Sequence, residues 1–136
     1  MKKVMVFGTF DLLHKGHVDF FKQAKSLGDY LVVVVARDSN VLRLKGKVAD
    51  SSEKQRLLAV KSVSFVDKVV LGSSDIGSYK VILDESPAII ALGYDQDVSE
   101  NVLKKELYAL GLNVDVVRLN PFKPDVYKSS KLKNSC

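Results

Sequence analysis

The sequence predicts an α/β domain built on a parallel sheet, and three observations carry that reading. Five short segments are continuously apolar rather than alternating, helical patterns fall between them in succession, and the chain is long enough for one core. Strands that are apolar throughout are buried on both faces. A repeated strand, helix, strand order closes by right-handed crossovers that leave the strands parallel.

Strands are expected at Lys3 to Gly8, Leu31 to Ala36, Lys68 to Leu71, Ala88 to Leu92 and Val114 to Leu119. Helical periodicity covers His17 to Leu27, Ser52 to Val63, Ile76 to Asp84 and Glu100 to Leu110. Two of these helices have amino-terminal signals: Ser52 with Gln55 resembles a capping box, and Asp97 with Glu100 a weaker one. The segment from Asp38 to Ser51 reads as a long, mobile connection. It carries Arg43, Lys45 and Lys47 around Gly46, a basic loop able to close over a ligand. With no linker and no internal repeat, one domain is expected over residues 1–136, its Pro- and Lys-rich tail from about residue 120 only partly ordered.

Composition narrows the function classes. A hydrophobic content of 46% with 27% charged residues is that of an ordinary globular protein and argues against disorder. The single cysteine, Cys136, rules out an intrachain disulfide and a Cys-based zinc site. The longest apolar run, Tyr30 to Ala36, is too short to cross a bilayer, and the amino terminus lacks the order of a signal peptide. A cytoplasmic protein without a membrane partner is expected. The net charge of +5 comes from lysines scattered among acids, which suits phosphorylated small molecules better than nucleic acid.

The chemistry concentrates in one stretch, Gly8-Thr9-Phe10-Asp11-Leu12-Leu13-His14-Lys15-Gly16-His17, where the first strand runs into the first helix. A strand followed by a glycine turn and a helix start is an anion site, because unpaired backbone N–H groups and the helix dipole both favour phosphate. Gly8 and Gly16 permit close approach to the backbone. His14 and His17, three residues apart, share one face and aim two donors at one phosphate. Neither GxxxxGK[ST] nor a post-strand GxGxxG is present, which disfavours a P-loop kinase and a dinucleotide-dependent dehydrogenase. Lys45 and Lys47 are candidates to neutralise an acceptor phosphate or a leaving pyrophosphate.

Gly8 to His17 resembles the GxFDxxHxGH signature of the cytidylyltransferase-like nucleotidyltransferases, and the similarity covers nearly the whole chain. The resemblance implies a Rossmann-like five-stranded parallel sheet in the order 3-2-1-4-5 with helices on both faces. It further implies that His14 and His17 contact a triphosphate and stabilise charge as the α-phosphate is attacked. Nucleotide contacts are implied at Thr9, Phe10, Lys15 and Gly16, and at Asp95 in the loop Gly93-Tyr94-Asp95-Gln96-Asp97, which the strand order brings to the switch point. Arg56 falls where related transferases place a phosphate-reaching arginine; a solvated helix arginine is the other reading. Near the end, Tyr127-Lys128-Ser129-Ser130-Lys131 replaces the arginine-bearing motif of glycerol-phosphate cytidylyltransferases. Together with Ala36-Arg37-Asp38 and Leu92-Gly93-Tyr94-Asp95-Gln96, it resembles the archaeal type of FAD synthase. That type implies AMP transfer from ATP to FMN with a divalent metal, Mg²⁺ being expected, and nucleotide contact by Tyr127, Ser129 and Ser130. No metal ligand is assigned, although Asp11 is a candidate to sit just outside the ion's direct ligands. Phe10, Tyr94, Phe122 and Tyr127 are expected to wall an isoalloxazine ring. Glycerol-3-phosphate cytidylyltransferase, sugar-phosphate adenylyltransferase and a non-catalytic nucleotide-binding regulator stay open as alternatives, as does a homodimer.

Overall fold

Successive residues of a strand point to opposite faces of a sheet, and here both faces are dry. In β1 (Lys3–Gly8), Val4 and Val6 enter one core and Met5 the other; in β2 (Tyr30–Val35), Leu31, Val33 and Val35 oppose Val32 and Val34. The structure, a computed structural model, describes residues 2–46, 49–72, 79–94, 96 and 98–120, without the side chains of 43–45. The remaining strands are β3 (Lys68–Leu71), β4 (Ile89–Leu92) and β5 (Asp115–Arg118). All pair in parallel in the order β3-β2-β1-β4-β5, as expected.

Helices cover both faces. Phe21 and Ala24 of α1 (Lys15–Lys25) and Val60 of α3 (Glu53–Lys61) complete the first core. Ile82 of α4 (Lys80–Glu85) and Leu103 and Leu107 of α5 (Glu100–Ala109) complete the second. Removing such fully buried side chains from water contributes about 2 kcal/mol each, which fixes the layer order. Among the described residues no helix is long and apolar enough to cross a membrane.

Two expectations need correction: the cap of α5 is Ser99, whose hydroxyl accepts from the Val102 N–H, rather than the Asp97 and Glu100 box, and a helix stands where a loop was expected. Residues 38–45, read as loop, form helix α2 (Asp38–Lys45), which ends at Gly46 in the left-handed conformation with φ 75°. Its start is silent in the sequence because Arg37 occupies the N-cap and makes no side-chain capping bond, while Asp38, the recognisable capping residue, is already inside. Residues 73–78, which include the first three of the expected Ile76 to Asp84 helix, lie outside the described residues, as does the tail from 121.

The sheet opens where β1 and β4 part. β1 and β2 pair over six successive positions, from Lys3↔Tyr30 to Gly8↔Val35, whereas β1 and β4 pair only at Val4↔Ile89 and Met5↔Ile90. Connections leave the two strands on opposite faces, so a crevice forms at their carboxyl ends.

Candidate active site

The signature stretch leaves β1 at Gly8 and at once adopts strained backbone: Phe10 and Leu12 have φ of 55° and 53°. Positive φ in bulky L-residues costs about 1–3 kcal/mol each and persists only where surroundings enforce it. Here they do. The Phe10 ring is buried and packs against Phe21 with centroids 5.0 Å apart, and it lies under Gly8 so closely that a Cβ there would sit 2.6 Å from Phe10 Cζ. Asp11 ties the other end, accepting from the Asp50 N–H at 2.7 Å and the Ser51 N–H at 3.0 Å.

The loop delivers the histidines to the start of α1. His14 is the N-cap; its Nδ1 accepts from the Gly16 N–H at 3.0 Å, while His17 Nδ1 accepts from the His14 N–H at 3.3 Å. The rings stack with centroids 4.0 Å apart, and the edge of Phe10 meets His17 at 5.7 Å. A side chain at position 16 would put its Cβ 2.8 Å from His14 Cε1, so glycine is required for this box to close. The reciprocal bonds also fix chemistry. A ring nitrogen that accepts a backbone N–H carries no proton, so in both neutral rings the proton resides on Nε2. Each imidazole therefore presents a donor away from its own cap. No acidic side chain occupies the first turn of α1 to offset the positive end of the helix dipole.

Arg56 is neither solvated nor open to ligand. Its side chain is fully buried, and the guanidinium donates to Thr9 O at 2.9 Å, Ala36 O at 2.8 Å, Ser51 O at 3.1 Å and Asp38 Oδ1 at 2.6 Å. The solvated reading is thus corrected, and a direct bond to phosphate would compete with these partners. Asp38 and Glu53 complete the clamp by bonding each other's helix starts: the Asp38 N–H donates to Glu53 Oε1 at 2.8 Å, the Glu53 N–H to Asp38 Oδ2 at 3.1 Å. Burial opposes ionisation of both aspartates, but hydrogen bonds and the Arg56 charge outweigh it. Asp11, with the Asp50 and Ser51 amides, and Asp38, with the Glu53 amide and Arg56, are held below the usual carboxylate range.

Across the crevice, Arg118 at the end of β5 donates to Gly93 O, Gln96 O and Val98 O at 2.9, 2.6 and 2.5 Å and pairs with Glu100 at 2.7 Å. The Gln96 amide accepts from the Gly93 N–H at 2.7 Å and donates to Phe7 O at 3.0 Å. Sequence reasoning quoted Gln96 and Asp38 but gave them no role, and passed over Arg118 and Ser51. Their partners are mostly backbone carbonyls and amides, which leave no trace in a motif.

The structure brings Thr9, Phe10, His14, Lys15, Gly16 and His17 together beyond the carboxyl end of β1, the central strand. It corrects the flavin-wall expectation for Phe10, whose ring is core, while Tyr94 stands 56% exposed. Asp95, Lys47, Phe122, Tyr127, Ser129 and Ser130 lie outside the described residues, as does the side chain of Lys45. Among the described residues no group of three or more His, Cys, Asp or Glu side chains could hold a metal ion.

A family model described as cytidylyltransferase-like matches residues 5–135. The chain is 42% identical to a FAD synthase of Thermococcus sibiricus over 131 residues, covering 96% of this chain and 88% of that one. With a FAD synthase of Aciduliprofundum boonei it shares 48% identity over 122 residues, covering 90% and 80%. Among solved structures, a lipopolysaccharide core biosynthesis protein of Thermoplasma volcanium superposes with a TM-score of 0.86 at 41% identity, covering 90% of this chain and 99% of that one. A pantoate-beta-alanine ligase of Francisella tularensis, at 18% identity and a TM-score of 0.58, covering 87% of this chain and 58% of that one, shares the fold.

Proposed function

The chain belongs to the cytidylyltransferase-like family, alongside the FAD synthases, and from that premise we propose that it is a cytoplasmic enzyme transferring AMP from ATP to FMN. The observation that carries the mechanism is the reciprocal histidine box, which fixes both Nε2 atoms as donors at the head of α1. A phosphate oxygen of FMN attacks the α-phosphorus of ATP in line. The bond from that phosphorus to the bridging oxygen of the β-phosphate breaks, and pyrophosphate leaves. His14 and His17 donate to the oxygens on which negative charge accumulates; such preorganised donors supply a large share of catalysis where no covalent intermediate forms.

The remaining nucleotide contacts are those the family resemblance implies. Backbone at Thr9, Phe10, Lys15 and Gly16 receives the phosphates, with Lys45 and Lys47 neutralising pyrophosphate or the acceptor phosphate. Asp95 is assigned to the sugar or base, and Tyr127, Ser129 and Ser130 to nucleotide contact. Arg56 acts through the loops it ties rather than on phosphate. A divalent cation, expected to be Mg²⁺, would accompany ATP as part of the substrate and would supply charge neutralisation at its phosphates. Asp11, whose two carboxylate oxygens each accept a backbone N–H, acts by fastening the histidine loop to the Asp50 and Ser51 backbone.

The test is a matrix of FMN and glycerol 3-phosphate against ATP and CTP, read as pyrophosphate release and as FAD by chromatography. FMN with ATP is expected to be the fastest pair. Faster turnover of glycerol 3-phosphate with CTP would overturn the flavin assignment and leave the transferase class standing.

A further inference from the structure

In β1 the carbonyls alternate in direction: Lys2 O and Gly8 O accept from the β2 side, through Tyr30 and Ala36, and Lys3 O accepts from Ala88 on the β4 side. Phe7 O therefore faces β4. A ladder continued past Met5↔Ile90 would satisfy it with a backbone N–H, but the two strands have separated by then. The Gln96 side chain takes that place, donating Nε2–H to Phe7 O at 3.0 Å, while its Oε1 accepts from Gly93 N–H, the first amide beyond β4. The orientation of the amide is dictated by these partners, because a flipped amide would set donor against donor and carbonyl against carbonyl. Behind it, Arg118 grips Gly93 O and Gln96 O, and Gln96 N–H returns to Gly93 O at 3.1 Å.

We propose that Gln96 is a positioning residue that stands in for the missing ladder rung at the switch point and sets the distance between the loop after β4 and the histidine loop. Phe7 precedes Gly8 and Thr9, where the signature begins, and Gly93 opens the loop that carries Asp95. One amide thus joins the two walls of the crevice directly. Arg118 fastens the outer wall, and beyond the short β1–β4 ladder the Gln96 side chain is the hydrogen-bonded link between these two segments among the described residues. Because this reading concerns the nucleotide side of the crevice, it rests on the assignment of ATP as donor, and the disturbance should fall on ATP and leave FMN nearly untouched.

Gln96→Glu separates the two bonds. A carboxylate still accepts from Gly93 N–H but puts a negative oxygen against Phe7 O; once protonated, it donates there again. By calorimetry, the variant at pH 8 should bind ATP about tenfold more weakly than the unsubstituted chain, the effect of one misplaced hydrogen bond. The KM for FMN should move less than twofold, and the ATP deficit should shrink as the pH falls toward the carboxyl range. A merely structural loss would lower the melting temperature and weaken both substrates together at every pH. Equal ATP affinity in the two proteins at pH 8 overturns the proposal, as does a parallel loss for ATP and FMN. The calorimetric comparison needs no turnover: ATP binding without FAD formation would sink the flavin reading while still deciding the role of Gln96.

Discussion

The two walls of the crevice are built by the same device used in two settings. On the β1 side, Arg56 gathers Thr9, Ala36 and Ser51 from a fully buried position; on the β4 side, Arg118 gathers Gly93, Gln96 and Val98 with its side chain 28% exposed. A guanidinium offers five donors in a planar fork, which is why one residue can fasten several chain segments that no regular ladder joins. The difference lies in what each clamp must resist. Arg56 holds a loop that stores strain at Phe10 and Leu12, whereas Arg118 holds a turn without positive φ among its described residues.

That contrast is broken most severely at Arg56. Arg56→Ala leaves three carbonyls without their donor and removes the partner of Asp38, which is itself half-exposed and partly rehydrated. A loss of about 3 kcal/mol in unfolding free energy is expected, against about 1 kcal/mol for Arg118→Ala. Urea titrations of both variants measure this. Equal losses would mean that burial of the clamp is irrelevant.

Within the strained wall, the histidines can be separated from the fold they cap. His14→Asn retains a capping side chain, so it should cost well under 1 kcal/mol of stability, yet it removes the Nε2 donor and should reduce turnover about a hundredfold. His17→Ala should show a loss of similar size. Near-normal turnover in either would make that histidine a cap alone.

How far the sequence foretold this wall depends on the kind of interaction. The five strands were legible because burial on both faces demands continuous apolar runs, and α3 because Ser52 and Gln55 form their box as read, with bonds of 3.2 and 2.9 Å. The histidines were legible because their spacing and the helix start coincide. Helix α2 was not, since Arg37 gives no cap signal, and the burial of Arg56 was not, because its partners are carbonyls brought together only by the fold. Gln96 stood in plain view within a polar turn; only the parting of β1 from β4 reveals what it replaces.

A smaller effect sharpens the comparison through pH. Asp11 has a folded pKa below its unfolded value of about 3.9, so it stabilises the fold above that value and the contribution is lost as pH falls through the folded pKa. Asp11→Asn has no such dependence. The gap in melting temperature between the two proteins should therefore be widest near pH 7 and narrow below about pH 4. A gap that widens in acid would place the lowering elsewhere.

In the proposed reaction the α-phosphorus of ATP is attacked between the two walls. ATP labelled at the α-phosphorus, and separately at the γ-phosphorus, followed into products with FMN as acceptor, tests it most directly. Attack at that atom leaves α-label in FAD and γ-label in pyrophosphate alone; γ-label in the flavin product, or α-label released as free AMP with no FAD formed, would rule it out.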